Sequence, residues 1–262
     1  MDLVNFQVGS KTVALPILNI LLTERYEQNL TELPNENPSF IGVKDFMNVP
    51  VPVFDLGKIL NKGSTADANR NLSQSLTQLK DDTLSWLQSL EGAVSGQSKK
   101  NKVETPEQTK FCKWLADFSC DNEDLQSLLE RIPAPLSELY EFFMTQGDNE
   151  FNEGDWHRRY TSVTSHVQRL FESAVDQVDV GYKPIIVFTT TDGRDPHVGL
   201  LVDKVEDSIH VDEADIKKLD SVTAIGFQLD AQTTAMMQGL VQLEDKHSLI
   251  IDPSSLFIEI EA

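Results

Sequence analysis

Apolar and polar positions alternate at both ends of the chain, whereas a long middle stretch carries its apolar residues on helical stripes. At the front, Leu3 to Val8 and Thr12 to Ile17 read as strands joined by a Gly9-Ser10 turn. Leu18 to Leu22 is a further, largely apolar run, and a polar loop rich in Asn, Glu and Pro follows as far as Ser39. Phe40 to Val43 and Val49 to Leu56 resume the strand pattern. Pro50 and Pro52 cannot donate to a ladder, so this last strand reads as an edge or irregular one. Gly57 to Leu60 is spaced for one helical turn. At the back, Pro184 to Thr189, Gly199 to Val205, Ala224 to Leu229, Gln238 to Leu243 and Leu249 to Asp252 read as strands, and Pro253 to Phe257 as a turn of helix.

The middle begins with a polar boundary, Lys62 to Asn71. Leu72, Leu76, Leu79, Trp86 and Leu90 then share one helical face, with Thr83 on the same stripe. After a Gly, Ser and Lys loop from Gly92 to Lys102, Pro106 to Phe118 reads as a second helix, with Phe111, Leu115 and Phe118 on one face and Trp114 nearby. Asp121 to Arg131 and Leu136 to Met144 are shorter helices separated by Pro133 and Pro135. A fifth runs from Asp155 to Val178, its stripe formed by Trp156, Tyr160, Val163, Val167, Leu170, Phe171, Ala174 and Val178. The pattern predicts an α+β protein: a small antiparallel helical bundle inserted between two halves of a β domain. Regularly spaced short strands point to small barrels rather than a parallel sheet. The predicted parts are residues 1–61, 62–181 and 182–262.

Charge narrows the function. The 42 acidic and 22 basic side chains give a formal net charge of -20. Phosphate contacts need clustered Lys and Arg, so nucleic acid is excluded as a partner, and an anionic membrane surface is disfavoured. Cys112 and Cys120 are too few for a disulfide framework and point to a reducing compartment. The opening MDLVNFQVGS has no basic segment and no long apolar run, so no signal peptide is expected. No run of 18 apolar residues occurs, so no direct membrane insertion is expected, and the cytoplasm is the predicted location.

Candidate chemistry is sparse. Cys112, Cys120, His157 and His166 could be proposed as zinc ligands, yet their spacing fits no finger or ribbon, and His166 sits beside the apolar stripe. Neither cysteine lies in a catalytic signature, and no serine lies in a G-x-S-x-G turn. His197 follows Asp195-Pro196 at a loop tip and reads as solvated. Thr189 to Asp195 is a turn, not a phosphate-cradling loop, and carboxylate pairs such as Asp81-Asp82 are uninformative in so acidic a chain. No catalytic residue, metal or cofactor is therefore expected. Apolar surface is the remaining route. Val49, Val51 and Val53 alternate with prolines, either to pack a core or to offer an edge to a partner.

The two β segments together resemble the CheW-like domain, an adaptor fold of bacterial chemotaxis arrays. The front carries Phe6 to Ile17, Leu33-Pro34, Phe40 to Val43 and Pro52 to Leu56. The back carries Val198 to Val205, Gln238 to Leu243 and Leu249 to Pro253, so the likeness covers residues 1–60 and 183–262. It implies two intertwined SH3-like barrels, no catalytic activity, and a scaffold that binds chemoreceptor tips and the regulatory domain of the histidine kinase. The family's Asn-Leu-Arg-Gly contact segment aligns here with Asp45-Phe46-Met47-Asn48. Met47 replaces the Arg and so lacks its planar, bidentate donor. With the adjoining Val49 and Val51, these residues are the predicted partner-binding surface; Phe46 and Met47 read as exposed, the alternative being that Phe46 plugs the end of the first barrel.

The insertion, over roughly residues 72–178, resembles the chemoreceptor zinc-binding domain through Thr105 to Leu115, with Phe111, Lys113 and Trp114 matching. Its ligand positions align with Thr109, Thr83 and, in one register, Val167 and Phe171; a second register places one of the last two at Phe143. The first register keeps no ligand at any of the four. The resemblance thus implies a bundle whose metal centre was replaced by packing.

The leading expectation is a noncatalytic adaptor of a chemotaxis-type array that couples receptors to a histidine kinase. A ligand- or metal-sensing regulator acting through the helical insertion is the alternative, and a small enzyme built on barrels the third. Metal analysis separates the first two.

Overall fold

The first hairpin closes on Gly9, whose φ of +61° lies in the left-handed region that glycine adopts without steric cost. A Cβ there would stand 2.7 Å from the Asn61 side-chain nitrogen. The hairpin opens a computed structural model that describes residues 1–96, 103–120, 122–145, 152–218, 231–243 and 246–257. Before the long helices it holds β1 (Asp2–Val8), β2 (Lys11–Pro16), β3 (Ile20–Arg25), β4 (Phe40–Phe46), β5 (Val49–Asp55) and the short α1 (Leu56–Asn61). Next come α2 (Thr65–Val94), α3 (Lys110–Asp117), α4 (Glu123–Glu130), α5 (Pro133–Thr145) and α6 (Glu153–Gly181). After them come β6 (Ile185–Thr189), β7 (Gly199–Val202), β8 (Lys204–His210), β9 (Lys217–Lys218), β10 (Met237–Gln242) and β11 (His247–Ile251). The strand expected at Ala224 to Leu229 lies outside the described residues.

Both sheets mix strands from before and after the long helices. A six-stranded sheet runs β8-β1-β2-β11-β10-β9 and a five-stranded one β3-β6-β7-β5-β4. β2 and β11 pair in parallel through Val13 and Leu249, as do β5 and β7 through Phe54 and Leu200. Phe6, Val13, Leu15, Phe54, Leu56, Val187, Leu200 and Ile251 share one buried cluster, so front and back strands bury each other's apolar faces. The architecture is α+β.

By its contacts the chain divides into two compact units, Met1–Ala68 with Tyr182–Ala262, and Asn69–Gly181. In the second unit, Leu76, Leu87, Leu90, Phe111, Leu129, Leu136, Phe143, Trp156, Val167 and Phe171 belong to one core. Pro133 opens α5 rather than merely ending the helix before it, since proline is tolerated in a first helical turn.

Three sequence expectations need correction. The strand with two prolines is interior: β5 lies between β7 and β4. The Asp55 N–H donates to Ser39 O at 2.8 Å, on the β4 side. By two-residue alternation, the missing N–H groups of Pro50 and Pro52 face the β7 side, where pairing begins only at Val53. The prolines therefore cost no ladder bond. Gly199 to Val205 is not one strand but the whole of β7 and the start of β8, broken at Asp203. The polar boundary after α1 is short, because α2 already starts at Thr65.

Asp203 sits at that break for a reason. One carboxylate oxygen accepts from the Gly9 N–H at 2.6 Å and from the Thr65 hydroxyl at 3.2 Å. The other accepts from the Tyr182 hydroxyl at 3.0 Å.

Candidate partner-binding surface

The β4–β5 hairpin places the predicted surface. Asp45 pairs with Pro50 and Phe46 with Val49, leaving Met47 and Asn48 as a two-residue turn. Both have positive φ, +53° and +65°, as the turn favoured by strand twist requires. Asn tolerates that region; Met does so at a cost of about 1 kcal/mol or more. The shaft below is fixed by Lys44, which bonds Glu24 and Asn29, each at 2.9 Å.

The six predicted residues divide between tip and core. Asp45, Met47, Asn48 and Val49 are all exposed, Met47 to 79% and Val49 to 42%. Phe46, expected to be exposed, is buried to 6%. Its ring stacks on Phe188 with centroids 4.3 Å apart, within a cluster that includes Val51, Val53, Ile186 and Leu201. Val51 is likewise buried. The reason is positional. Phe46 and Val51 point to the sheet face that Phe188 covers, whereas the turn runs beyond that cover. A partner reaching this hairpin meets Asp45, Met47, Asn48 and Val49 and finds Phe46 beneath them.

Reading of the sequence passed over further exposed apolar side chains. Ile17, Leu18 and Leu22 are exposed, Leu18 to 83%. The apolar run Leu18 to Leu22 marked the place, but a run without alternation does not say which residues point outward.

Other candidate chemistry is dispersed or already engaged. Cys112 and Cys120 are free and half-buried, and burial raises the Cys112 thiol pKa above its ordinary value, making it a poor nucleophile. Among the described residues no three His, Cys, Asp or Glu side chains are grouped to hold a metal. Thr83, Thr109, Val167 and Phe171 are all buried. The Thr83 hydroxyl donates to Leu79 O at 2.7 Å. The Thr109 hydroxyl donates to Pro106 O at 2.6 Å and accepts from the Cys112 N–H at the start of α3. Both hydroxyls are spent on their own backbone, and Phe171 packs edge-on against Phe111 at 4.9 Å. The His197 N–H donates to Thr189 O at 2.8 Å, and the residue is half-buried rather than solvated. No described helix is long and apolar enough to cross a membrane.

Comparison with known proteins bears on the β unit. No curated protein matches the chain at a significant level. Among solved structures, it is similar to the crystal structure of the scaffolding protein TtCheW from Thermoanaerobacter tengcongensis. The two are 13% identical, with 100% of this chain and 94% of that one covered and a TM-score of 0.45. Residues 2–78, which hold β1 to β5, α1 and the Met47 hairpin, match the family model of the CheW-like domain.

Proposed function

We propose that the chain is a noncatalytic adaptor of a chemotaxis-type signalling array in the bacterial cytoplasm. In this reading residues 1–61 and 182–262 form two SH3-like barrels, and residues 62–181 an inserted antiparallel bundle without a metal. The exposed hairpin tip binds a receptor tip or the regulatory domain of a histidine kinase. The single observation that carries the reading is the CheW-like match over residues 2–78, which includes that hairpin. The strained, exposed Met47 supports the choice of surface, because strain of this kind persists where function retains it. Methionine is also enriched at interfaces, and its flexible thioether adapts to a partner.

The test is direct binding of the purified chain to a histidine kinase regulatory domain and to a receptor cytoplasmic fragment from the same organism. Binding to either, weakened about tenfold or more by Met47→Ala with Val49→Ala, supports the reading. Binding to neither would overturn it.

A further inference from the structure

The turn of the β4–β5 hairpin offers a partner side chains rather than backbone. β4 is an edge strand, and its outer side is closed at Val43, whose N–H and C=O both pair with Thr31 at 2.9 Å. Between Val43 and the turn, only Asp45 turns its main-chain groups to that side. On the β5 side, pairing with β7 begins at Val53, and Pro50 and Pro52 have no N–H to donate before it. A strand added beside either arm would find few main-chain partners, so strand addition does not suit this tip.

The side chains divide by face. Opposed residues on antiparallel strands share a face, so Val49 lies with Phe46, and Asp45 with Pro50. Asp45, Met47, Asn48, Val49 and Pro50 are all exposed. The neighbouring cation, Lys44, points to the face opposite Asp45, where Glu24 and Asn29 hold it. Asp45 forms no ion pair among the described residues. Exposed carboxylates are common in a chain of net charge -20, and Asp45 alone would point to nothing. Its place is what distinguishes it: it stands beside the exposed apolar Met47, Val49 and Pro50, and the tip has no free cation to offset it.

We propose that this tip enters a concave apolar socket on the partner, and that the socket's rim carries a lysine or arginine opposite Asp45. The inference rests on the adaptor reading above and adds the partner's chemistry to it. Met47 and Val49 fill the socket, and the flexible Met side chain suits an irregular one. The rim cation belongs on the face of Asp45 and Pro50, away from Val49, and so fixes the orientation in which the hairpin docks. A partner with an acidic rim would meet Asp45 with like charge and is rejected.

The experiment is titration of the full chain against the histidine kinase regulatory domain and the receptor cytoplasmic fragment, at ionic strengths of about 0.05 and 0.5 M. Asp45→Asn should weaken binding several-fold at the lower ionic strength and flatten its salt dependence. Asp45→Lys and Met47→Arg, which set like charge against the rim, should each weaken it about tenfold or more. Met47→Leu, which keeps the apolar volume, should stay within about threefold. Asp117→Lys makes the same change of net charge at an exposed position of α3 and should leave binding unchanged. Wild-type binding to neither fragment would overturn the adaptor reading and this inference with it. Wild-type binding that Asp45→Lys leaves unchanged, or that Met47→Arg tightens, would overturn the socket with its basic rim and leave the adaptor reading standing.

Discussion

The Tyr182 hydroxyl and the Thr65 hydroxyl both donate to Asp203, at 3.0 and 3.2 Å and to different oxygens of its carboxylate. The residues at which the chain leaves the β unit and returns to it are thus held by one side chain, which also caps the β1–β2 turn through Gly9. A short chain can therefore close that gap. Replacing Asn69–Gly181 with a Gly/Ser linker of about eight residues should leave the remainder folded, because loop-closure entropy grows only slowly with length. Circular dichroism of β type and a dispersed NMR spectrum are the expected outcome. An unfolded product would show that the β unit needs the helices.

Asp203 also sets a pH dependence. Burial raises its pKa above the ordinary 3.8, the bonds from Gly9, Tyr182 and Thr65 oppose that rise, and the charge of Asp55 adds to it. The folded state then holds this proton more tightly than the unfolded one. Its contribution is fully present below the unfolded pKa and is lost as pH rises through the folded value, with a slope of at most about 1.4 kcal/mol per pH unit. Asp203→Asn keeps the shape and removes the titration. Urea melts of both proteins across the acid range should show the wild type losing stability relative to the variant as pH rises from about 4. Asp2 and Asp192, both held below the ordinary carboxylate range by hydrogen bonds, act in the opposite sense and cancel in the difference. A wild type that gains stability relative to the variant as pH rises would contradict the burial argument.

How much of this was legible in the sequence depended on how local the cause was. The stripe predicted over Asp155 to Val178 becomes α6, and Trp156, Val167, Leu170, Phe171, Ala174 and Val178 are all buried, because helical burial repeats with the helix's own period. β8 was missed beyond Val205, since KVEDSIH is an exposed edge with little apolar alternation and exists through its pairing with β1. Phe46 was misread for a similar reason. Its burial comes from Phe188, far along the chain, and nothing beside Phe46 announces that partner. The hairpin tip itself was found through a family likeness, not through pattern.

Packing in place of a metal centre gives the third expectation. Elemental analysis of the purified chain should find no stoichiometric zinc, and a chelator should leave the melting temperature unchanged. Phe171→Ala should cost about 3–5 kcal/mol, as expected for emptying a fully buried aromatic site. Thr83→Val, which loses only a bond to the helix's own Leu79 carbonyl, should change stability by less than about 1 kcal/mol. Zinc retained through dialysis and lost in Cys112→Ala would refute this account.

The Met47 turn allows stability and binding to be read separately. Phe46→Ala removes a ring stacked on Phe188 and should destabilise by about 3–4 kcal/mol. Met47→Ala removes a side chain 79% exposed and should stay within about 0.5 kcal/mol of wild type. The decisive variant is Met47→Asn with Asn48→Gly, which installs the residues that this turn geometry favours. Relief of the positive φ at Met47 should raise stability by about 1 kcal/mol. If Met47 is kept for contact with a partner, the same variant should bind about tenfold more weakly or worse, although its fold has improved. Thermal melts and titration against the kinase or receptor fragment supply the two readings. A more stable variant with undiminished affinity would remove Met47 from the interface.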